Sequence, residues 1–518
     1  MPATATTGPD QPTALDPRPA RLRPVRLRRL ADAVGAVVHG LDDESLMVRG
    51  LTLSSRGVRA GDLYAALPGA RTHGARFAAD AAGAGAVALL SDPAGLAQCA
   101  ATGLPVLELA DPRARLGDLA RMVNDDAAAR VATTGVTGTQ GKTTVTYLLE
   151  AGLAAAGARP AVIGTTGTRV DGRPVSSALT TPEAPDLHAL FAVMREQGAG
   201  ACAMEVSSHA LVQGRVDGIV FDVVVFLNLG RDHLDFHTDM EGYFAAKASL
   251  FTAERARRAV LNADDEHGRR LVESVDLPVA TWSTEGRDAD WQAGEVRPDR
   301  GGFRFTLRDP HGHAHEASVP LPGRFNVSNA TAAIVALVSG GWPLAAVLDG
   351  IAHSPGVPGR MEQVDAGQTF QVVVDYAHKP EALDAVLTAL RTGTPGRLFV
   401  VLGAGGDRDP GKRPLMGDVA ARLADVVVVT DDNPRSEDPA AVRAAIVAGV
   451  RSASARSGLV EIGDRRAAID HALGLAGEGD CVLIAGKGHE TGQEIGSVVH
   501  PFDDREVVRE LLRNEGAP

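Results

Sequence analysis

The segment Thr134-Gly-Val-Thr-Gly-Thr-Gln-Gly-Lys-Thr-Thr144 carries the strongest structural signal in this chain. It follows a short apolar run that starts at Val131 and precedes a helical pattern that starts at Val145. A glycine-rich turn between a strand and a helix directs backbone N–H groups and the positive end of the helix dipole at one point, which suits a phosphate. The segment therefore predicts a phosphate-binding loop in an α/β protein. The alternative is a chance glycine turn before a helix.

The spacing inside this loop predicts an ATP site. Lys142 is placed to reach the outer phosphates, and the Thr143 hydroxyl is placed to bind Mg²⁺. The common phosphate-loop spacing would put the first glycine at Val136, whereas here Gly138 and Gly141 form a shorter Gly-x-x-Gly-Lys-Thr loop. The predicted ATP-binding residues of the loop are Gly138, Thr139, Gln140, Gly141, Lys142, Thr143 and Thr144.

The composition of the 518 residues is that of a globular protein, with 23% charged and 44% hydrophobic residues. The net charge of −13 argues against a nucleic-acid scaffold or a binder of anionic membranes. The three cysteines show no metal-ligand spacing, which indicates a reducing cytoplasm. No apolar run approaches the roughly 20 residues of a membrane span, and the basic N-terminal segment lacks the apolar core of a secretory signal.

Continuous apolar runs bounded by turn residues, such as residues 223–228, are typical of strands buried on both faces of parallel sheets. They predict an α/β protein with a small N-terminal α/β domain, a central P-loop parallel-sheet ATPase domain and a C-terminal Rossmann-like doubly wound domain. Gly301–Val319 alternates in hydrophobicity and predicts a hairpin attached to the central sheet. The predicted boundaries are 1–25 for a disordered tail, 26–125 for the first domain, 126–356 for the second and 357–518 for the third.

Polar residues that follow the strands of the central domain predict a metal site. Glu205 comes after one apolar run, and His233 follows the next. Together with the Thr143 hydroxyl, they offer the hard ligands that Mg²⁺ prefers, although Glu205 alone could be a solvated carboxylate. Zinc is disfavoured because Asp232-His-Leu-Asp-Phe-His237 does not match the His-Glu-x-x-His helix and has no cysteine nearby.

Taken together, these motifs resemble the Mur ligase family, whose members add amino acids to UDP-N-acetylmuramoyl peptides with ATP. The resemblance runs from about Leu51 to Arg509, and the shared order and spacing of its pieces are specific. The matching pieces are Gly138–Thr144, Met204–His209, Asn228–His237, Tyr243–Lys247, Leu321–Asn329, Gly359–Glu362, Asp375–Glu381 and Gly486–Glu490. Two departures are Gln140, where the family usually has asparagine, and a loose fit of Gly69–Gly74 to the first-domain pattern.

The resemblance implies that Lys142, Glu205, His233 and Lys247 form the catalytic set. Lys247 is similar to a family lysine that CO₂ converts to a carbamate (N6-carboxylysine) and that binds a second Mg²⁺ with His233. A surface lysine on a helix is the alternative. The implied metal ligands are Thr143, Glu205, His233 and Lys247, and the further ATP contacts are Asn326, Asn329, Arg360 and Asp375. An N-cap role for Asn329 and an interdomain ion pair for Arg360 are the alternatives.

The resemblance also implies two substrate sites. Residues similar to those that bind the UDP-N-acetylmuramoyl dipeptide are Ser55, Thr180, Thr181, Ser207, Gln213 and Arg215. Asp-Asn-Pro-Arg at residues 432–435 resembles the diaminopimelate-recognition motif of the family, and its arginine would bind the carboxylate that distinguishes diaminopimelate from lysine. The implied diaminopimelate contacts are Arg408, Asp432, Asn433, Pro434, Arg435, Gly486 and Glu490.

The implied protein is a monomeric cytoplasmic ligase that acts on small molecules, with no nucleic-acid partner and no membrane insertion. It would use ATP, two Mg²⁺ ions and the Lys247 carbamate in peptidoglycan synthesis, forming an acyl phosphate at D-glutamate and then an amide with diaminopimelate. A lysine-adding sibling, a folylpolyglutamate-type synthetase and a P-loop hydrolase or nucleotide switch are the competing hypotheses. The sequence leaves open the stereoisomer of diaminopimelate and the role of His378.

Overall fold

The structure is a computed structural model that describes residues 14–69, 72–177, 179–233, 236–299, 301–453 and 457–515. Its internal contacts divide the chain into two compact units. The first unit contains the residues up to Glu295 together with 305–317 and 328–354, and the second contains 296–304, 318–327 and 355–518. Within the described ranges, no helix is long and apolar enough to cross a membrane.

The N-terminal part of the first unit is a small α/β layer. Its strands are β1 (Val25–Arg26), β2 (Val37–His39), β3 (Met47–Val48), β4 (Gly50–Thr52), β5 (Asp62–Ala65), β6 (Ala88–Ser91) and β7 (Val106–Glu108), and its helices are α1 (Leu27–Val34), α2 (Ala78–Gly83), α3 (Leu96–Ala100) and α4 (Leu116–Val123). Strand order is β2-β7-β6-β5-β4, with only the β2–β7 pair antiparallel. Residues from α1 and α4 pack on one face of this sheet.

A larger mixed sheet follows. Its first elements are β8 (Ala132–Thr137), α5 (Lys142–Ala155), β9 (Pro160–Gly164), β10 (Gly167–Val170), β11 (Arg173–Val175), α6 (Ala184–Glu196), β12 (Ala201–Glu205), α7 (Ser208–Val212) and β13 (Val223–Phe226). The next are α8 (Met240–Ala248), β14 (Ala259–Asn262), α9 (Glu266–Ser274), β15 (Val279–Ser283), β16 (Trp291–Asp299), β17 (Gly302–Arg308), β18 (Ala314–Val319), α10 (Phe325–Ser339) and α11 (Leu344–Ala352).

The order of this sheet, β11-β10-β9-β12-β8-β13-β14-β15-β16-β17-β18, places the phosphate loop at its centre. β9, β12, β8, β13 and β14 run parallel, so the carboxyl ends of β8, β12 and β13 meet at one edge. Ligands of open parallel sheets bind beyond this edge. The hairpin predicted for Gly301–Val319 is present as β17 and β18, which extend the large sheet beyond β16. Their alternating residues leave one face to pack and one to face water.

The C-terminal part contains a second doubly wound sheet, as predicted. Its elements are β19 (Glu362–Gln363), β20 (Gln371–Asp375), α12 (Pro380–Gly393), β21 (Leu398–Leu402), α13 (Lys412–Leu423), β22 (Val426–Val429), α14 (Pro439–Ser452), β23 (Gly458–Glu461), α15 (Arg465–Leu475), β24 (Cys481–Ala485), β25 (Gly492–Ile495), β26 (Val498–Pro501) and α16 (Asp504–Glu515). The order is β19-β20-β24-β21-β22-β23, parallel apart from β19. β20, β21 and β24 are almost wholly buried, which explains their uninterrupted apolar runs.

The disordered tail predicted for residues 1–25 is wrong over its second half, and residues 1–13 lie outside the described residues. Leu15 N donates to Pro174 O, and Arg18 forms a 2.6 Å ion pair with Asp62, which is 2% exposed. The carboxylate of Glu196 accepts from two further backbone N–H groups of the segment. A composition rich in proline and arginine predicts disorder, but here acceptors elsewhere in the first unit, of which Asp62 is buried, hold the segment in place.

Candidate active site

The phosphate loop is a tight backbone turn between β8 and α5. Gly138 and Gly141 have φ values of 155° and 87°, and the second lies in the left-handed region that favours glycine. A Cβ on Gly141 would lie 2.6 Å from Asn329 Oδ1, and one on Gly138 would lie 2.9 Å from Leu227 Cβ. The two glycines are therefore required both by backbone conformation and by close neighbours. Asn329 lies inside α10, which rules out the N-cap alternative.

Asn228, at the end of β13, holds the tip of this loop. Its Oδ1 accepts from the backbone N–H groups of Thr139 and Gln140 at 3.1 and 2.9 Å, and its Nδ2 donates to Gln140 O at 3.2 Å. The Gln140 side chain is exposed, so the departure from the family's asparagine leaves these backbone bonds intact. In the sequence, Asn228 is marked only as the first residue of the Asn228–His237 motif. In the structure, its side-chain amide preorganises the phosphate loop.

Glu205 is buried beside the start of α5. It is 1% exposed, accepts from the Thr143 hydroxyl at 2.9 Å, and accepts from Thr165 N and Oγ1 at 2.8 and 3.1 Å. The solvated-carboxylate alternative is therefore wrong. A carboxylate and a hydroxyl in contact form a pair of hard oxygen donors of the type that suits Mg²⁺.

Two lysines converge on the carbonyl of Gly138. Lys142 Nζ donates to it at 2.7 Å and Lys247 Nζ at 2.9 Å. Lys247 is 1% exposed and lies 4.7 Å from the centre of the Tyr243 ring, which rules out a surface lysine. Burial, reinforced by the charge of Lys142, lowers the pKa of Lys247 well below its usual range. Both effects favour the uncharged amine over the ammonium.

His233 lies in a cluster of rings beside α8. Its ring centroid is 4.8 Å from that of His209 and 6.0 Å from that of Tyr243, and its φ of 53° is left-handed. Asp232 forms an ion-pair contact with it at 3.4 Å, whereas Asp235 lies outside the described residues. Within the described part of the chain, no group of three or more His, Cys, Asp or Glu side chains is arranged to hold a metal ion.

The residues predicted to grip the muramoyl-dipeptide form one hydrogen-bonded cluster. Thr181 Oγ1 donates to Glu205 O at 2.8 Å and accepts from Ser207 N at 3.2 Å. Arg215 donates to Thr181 O at 3.1 Å and to Gln213 Oε1 at 2.6 Å. The cluster is thus connected through Glu205 to the phosphate loop.

Thr180 lies beside that cluster, and Ser55 belongs to the N-terminal α/β layer. Thr180 Oγ1 lies 3.3 Å from Thr165 Oγ1, and Ser55 begins a short 3₁₀ turn after β4. A cavity of about 440 Å³ opens beside both regions. Its lining includes Ser54, Arg56, Ser177, Pro182 and Glu183. This volume and its two arginine-bearing loops suit part of an anionic nucleotide.

Three predicted ATP contacts belong to the second unit. Asn326 donates through Nδ2 to Pro322 O at 2.6 Å, and Arg360 stacks over the Tyr376 ring with 4.6 Å to its centroid. Asp375 accepts from Met361 N and Ala377 N, each at 2.7 Å. Burial raises the pKa of Asp375, and the charge of Arg360 opposes that shift.

The loop after β22 carries Asp432, Asn433, Pro434 and Arg435, which are the centre of the predicted amino-acid pocket. Asp432 and Asn433 are buried, and Arg435 has a left-handed φ of 51°. Arg435 donates to Glu494 Oε2 at 2.8 Å and to Gly406 O at 2.7 Å. These contacts use two of the five N–H donors of the guanidinium, which leaves donors for a carboxylate.

The loop after β24 approaches the same pocket. Gly486 has a φ of 115°, and a Cβ there would lie 3.1 Å from Asp432 Oδ2. Glu490 Oε2 accepts from Asn433 Nδ2 at 2.9 Å. Of the remaining predicted contacts, Pro434 is buried in the pocket loop and Arg408 is exposed on the loop after β21.

Lys487 is a pocket residue that the sequence reasoning missed. It is 0% exposed and lies 3.0 Å from Asn433 Oδ1, 3.3 Å from Glu490 Oε2 and 3.5 Å from Asp432 Oδ1. The one signal in the sequence is its position inside the Gly486–Glu490 motif. The local pattern gives no further signal, because an isolated lysine after a strand is normally solvent-exposed.

Three family models match consecutive parts of the chain. The model described as "Mur ligase family, catalytic domain" matches residues 47–124, "Mur ligase middle domain" matches 136–337, and "Mur ligase, glutamate ligase domain" matches 359–488. The UDP-N-acetylmuramoyl-L-alanyl-D-glutamate–2,6-diaminopimelate ligase of Streptomyces coelicolor is 53% identical over 500 residues, covering 96% of this chain and 98% of that protein. The chain belongs to the Mur ligase family.

Other relatives agree on the family. The UDP-N-acetylmuramyl-tripeptide synthetase of Leifsonia xyli is 46% identical over 98% of this chain and 99% of that protein. A solved UDP-N-acetylmuramoyl-L-alanyl-D-glutamate–2,6-diaminopimelate ligase superposes with a TM-score of 0.69 at 34% identity, covering 96% of this chain and 100% of that chain. The predicted three-domain α/β architecture of this Mur ligase is confirmed, while the domain boundaries stay a prediction.

Proposed function

We propose that this Mur ligase uses ATP to join 2,6-diaminopimelate to the D-glutamate of UDP-N-acetylmuramoyl-L-alanyl-D-glutamate. The observation that carries the proposal is the pocket in which Arg435 and Glu490 lie on loops tied together by Asn433. A guanidinium and a carboxylate suit the distal carboxylate and ammonium of diaminopimelate. The 53% identity to the Streptomyces coelicolor ligase supports the same substrate.

The first half-reaction follows from the geometry around the phosphate loop. The backbone N–H groups at the start of α5 and the Lys142 ammonium stabilise the negative charge of the triphosphate. The D-glutamate carboxylate attacks the γ-phosphorus, the bond to the bridging oxygen breaks, and ADP leaves with an acyl phosphate formed. The Lys142 charge counters the repulsion between the anionic nucleophile and the nucleotide.

The dipeptide end is held by the cluster around Thr181. Arg215 forms an ion pair with Glu183 at 3.0 Å and donates to Thr181 O and Gln213, and these contacts orient a guanidinium that keeps N–H donors for a substrate carboxylate. Because Thr181 also bonds to the backbone of Glu205, substrate positioning and the phosphate loop share one network. Such preorganisation lowers the entropic cost of bringing the reactants together.

The second half-reaction uses the amino-acid pocket. Arg435 and Glu490 orient diaminopimelate by its distal groups, which leaves its other amine to attack the carbonyl carbon of the acyl phosphate. The tetrahedral adduct collapses to the amide as inorganic phosphate departs, and a proton is lost from the attacking nitrogen. Exclusion of water protects the acyl phosphate from hydrolysis.

The donor set at the loop fits magnesium. Thr143 and Glu205 present hard oxygens in contact with each other, and His233 is the predicted partner of Lys247 at a second ion. Bound Mg²⁺ would supply charge neutralisation to the phosphates. Titration of the protein with Mn²⁺, followed by electron paramagnetic resonance, should show binding that Glu205→Gln weakens at least tenfold.

We propose that Lys247 is carbamylated. Its burial and its contact with Gly138 O, beside the Lys142 ammonium, favour a neutral amine that adds to the carbon of CO₂ and loses a proton. The product would replace the buried neutral amine by a negatively charged group beside Lys142. The anionic product would then be stabilised by the same charge that disfavours the ammonium.

The test of the carbamate is substitution with chemical rescue. Lys247→Ala and Lys247→Arg should both abolish ADP formation, since neither side chain can form a carbamate. Short-chain carboxylic acids should restore part of the activity of the alanine variant but not of the arginine variant. Full activity of Lys247→Ala without rescue would refute the role.

Phosphate release tests the ligase proposal directly. With UDP-N-acetylmuramoyl-L-alanyl-D-glutamate and ATP present, release should depend on added diaminopimelate, and mass spectrometry should show the tripeptide product. Comparing meso-diaminopimelate, LL-diaminopimelate and lysine decides the amino acid and its stereoisomer; we expect meso-diaminopimelate. Activation by lysine alone would favour a lysine-adding sibling, and activity with a folate substrate a folylpolyglutamate-type synthetase. Release indifferent to every amino acid would indicate a P-loop hydrolase.

The proposal places the enzyme in the cytoplasm, acting as a monomer in peptidoglycan synthesis and hence in cell shape and division. ATP and a nucleotide-linked dipeptide are small, charged substrates, which supports a cytoplasmic site. Analytical ultracentrifugation at micromolar concentration should give a single species near the 53.7 kDa of the chain. A dimer at this concentration would contradict the monomer.

A further inference from the structure

Lys487 is a fully buried ammonium in the amino-acid pocket. It follows Gly486 at the carboxyl end of β24 and is 0% exposed. Its Nζ lies within 3.0–3.5 Å of three acceptors, which are the Asn433 amide oxygen and the carboxylates of Glu490 and Asp432. An ammonium has three N–H donors, so this environment matches its capacity. Burying a charge costs desolvation free energy, which is offset only when hydrogen-bonding partners such as these surround it.

The lysine connects two loops whose strands are not neighbours. β24 and β22 are separated by β21 in the sheet, and Lys487 crosses the carboxyl end of β21 to reach the loop after β22. Gly403, just after β21, leaves room for the backbone of the loop after β22, because a Cβ there would lie 2.6 Å from Thr430 O and 2.8 Å from Asp432 N. The contact therefore sets the distance between the Asp432–Arg435 loop and the loop that carries Glu490.

The same ammonium fixes the orientation of the Asn433 amide. Asn433 Oδ1 accepts from Lys487 Nζ at 3.0 Å and from Glu494 N at 2.9 Å, while its Nδ2 donates to Glu490 Oε2 at 2.9 Å. A flipped amide would lose all three bonds. Through this chain of contacts, Lys487 positions Glu490, the residue assigned to the distal ammonium of the substrate, without needing to touch the substrate.

The charges of the group also have a consequence. Asp432 and Glu490 carry two negative charges and Lys487 one positive charge, so the three side chains together carry one net negative charge. Arg435, which is paired with Glu494, still has N–H donors for a distal carboxylate, and the negative charge of the group favours a distal ammonium. Without Lys487 the pocket would be more negative and would favour a purely cationic distal group, as in lysine.

We propose that Lys487 is a positioning residue for amino-acid recognition, which holds Asn433 and Glu490 in place and sets the pocket charge that favours diaminopimelate over lysine. This role rests on the proposed ligase function. It adds a specificity determinant that lies behind the residues facing the substrate.

The experiment replaces Lys487 by methionine, which has a similar length and no charge, in the full-length enzyme. We expect KM for meso-diaminopimelate to rise about 30-fold, because the hydrogen bonds from the charged ammonium to Asn433 and Glu490 are lost. KM for ATP should change less than threefold. The ratio of kcat/KM for meso-diaminopimelate to that for lysine should fall at least tenfold, and this ratio is independent of the fraction of enzyme that is folded.

Arg397→Met provides the control. Arg397 pairs with Asp480 at 2.7 Å at the amino end of the same sheet, far along β21 from the pocket. It should lower the melting temperature and leave the amino-acid ratio unchanged. Lys487→Gln, which keeps a donor for Asn433 and Glu490, serves if the methionine variant is insoluble. It should also lower the ratio, because it removes the charge.

An unchanged amino-acid ratio in Lys487→Met, or in Lys487→Gln where that variant is used, would overturn the positioning role, whatever happens to stability. Failure of the underlying function has a different signature. A wild-type enzyme that joins neither amino acid defeats both proposals in the reference assay, before any variant is measured. A wild-type enzyme that prefers lysine defeats only the substrate assignment, and a shift of the ratio in the variant would still support Lys487 as a determinant of the pocket.

Discussion

The phosphate-loop site and the amino-acid pocket are built in opposite ways. The first is one continuous segment, Gly138–Thr144, whose N–H groups and two glycines do most of the work and whose tip is held by Asn228. The second is assembled from the loops after β21, β22 and β24 and depends on side-chain charges. A backbone site serves any substrate with a triphosphate, whereas a charged side-chain pocket selects one amino acid. We call this the division between the two sites: the phosphate loop supports the chemistry common to all substrates, and the amino-acid pocket selects one of them.

Lys142→Met should have the largest effect. Removing a donor that stabilises charge in the transition state typically costs 10²–10³-fold in kcat, and we expect about 10³-fold here. The loss should be equal with every accepted amino acid, because the phosphate loop does not contact that substrate. Coupled assay of ADP formation measures it. Lys142→Arg, which keeps the charge, is the control, and a loss confined to one amino acid would contradict the division.

This contrast explains what the sequence could reveal. The phosphate loop is local in sequence, so strand, glycines, lysine and helix could be interpreted directly, and Glu205 followed from its place at a strand end. The amino-acid pocket brings together residues more than 50 positions apart, and only resemblance to a family pointed to Arg435. Lys487 remained hidden because burial of a lysine depends on tertiary contacts that no local pattern encodes.

The prediction of disorder for the N-terminal segment also depends on local composition and takes no account of distant contacts. Its composition predicts disorder, yet Arg18 finds the buried carboxylate of Asp62 and Glu196 caps two backbone N–H groups. These partners lie 44 and about 175 residues away. Local composition cannot register a partner at that distance.

Arg435→Met should have the next largest effect and should act only on the amino acid. We expect kcat/KM for diaminopimelate to fall about 100-fold, the value of a charged bidentate contact, with KM for ATP unchanged. Steady-state kinetics at saturating ATP measures this. Arg443→Met is the matched control, because Arg443 pairs with Asp431 and Glu461 beside the same loop. An equal fall of kcat/KM for diaminopimelate in both variants would show that Arg435 has no specific role in recognising the amino acid.

Acid should destabilise both units, because burial lowers the pKa of one histidine in each, His188 in the first and His378 in the second. Burial lowers the pKa of His188 from 6.5 to about 4. Between these values the unfolded chain binds a proton that the folded chain does not, so the free energy of unfolding falls as pH falls. At pH 5 the loss is about 2 kcal/mol relative to pH 7. His188→Gln should remove this slope.

Tryptophan fluorescence measures the effect in the first unit alone, because Trp282, Trp291 and Trp342 all belong to it. Urea titrations at pH 7 and pH 5 should show the 2 kcal/mol difference for the wild type only. His378→Gln, in the second unit, is the control and should leave the fluorescence-detected slope unchanged. A pH slope that persists in His188→Gln would place the titrating group elsewhere.

Two glycine substitutions give the smallest and most direct comparison. Gly141→Ala must adopt a φ of 87° and would bring its Cβ to 2.6 Å from Asn329 Oδ1, so we expect about tenfold weaker binding of ADP by calorimetry. In Gly405→Ala the added Cβ would lie 3.0 Å from Arg435 Nη1, so the guanidinium must shift and KM for diaminopimelate should rise, while ADP binding stays unchanged. Adding Asn329→Ser to Gly141→Ala relieves the contact but not the backbone strain. The double variant is compared with Asn329→Ser alone. If its ADP binding recovers only partly, the remaining loss comes from backbone strain, as a site built from main-chain geometry requires. If it recovers fully, the loop tolerates a side chain once its neighbour is smaller.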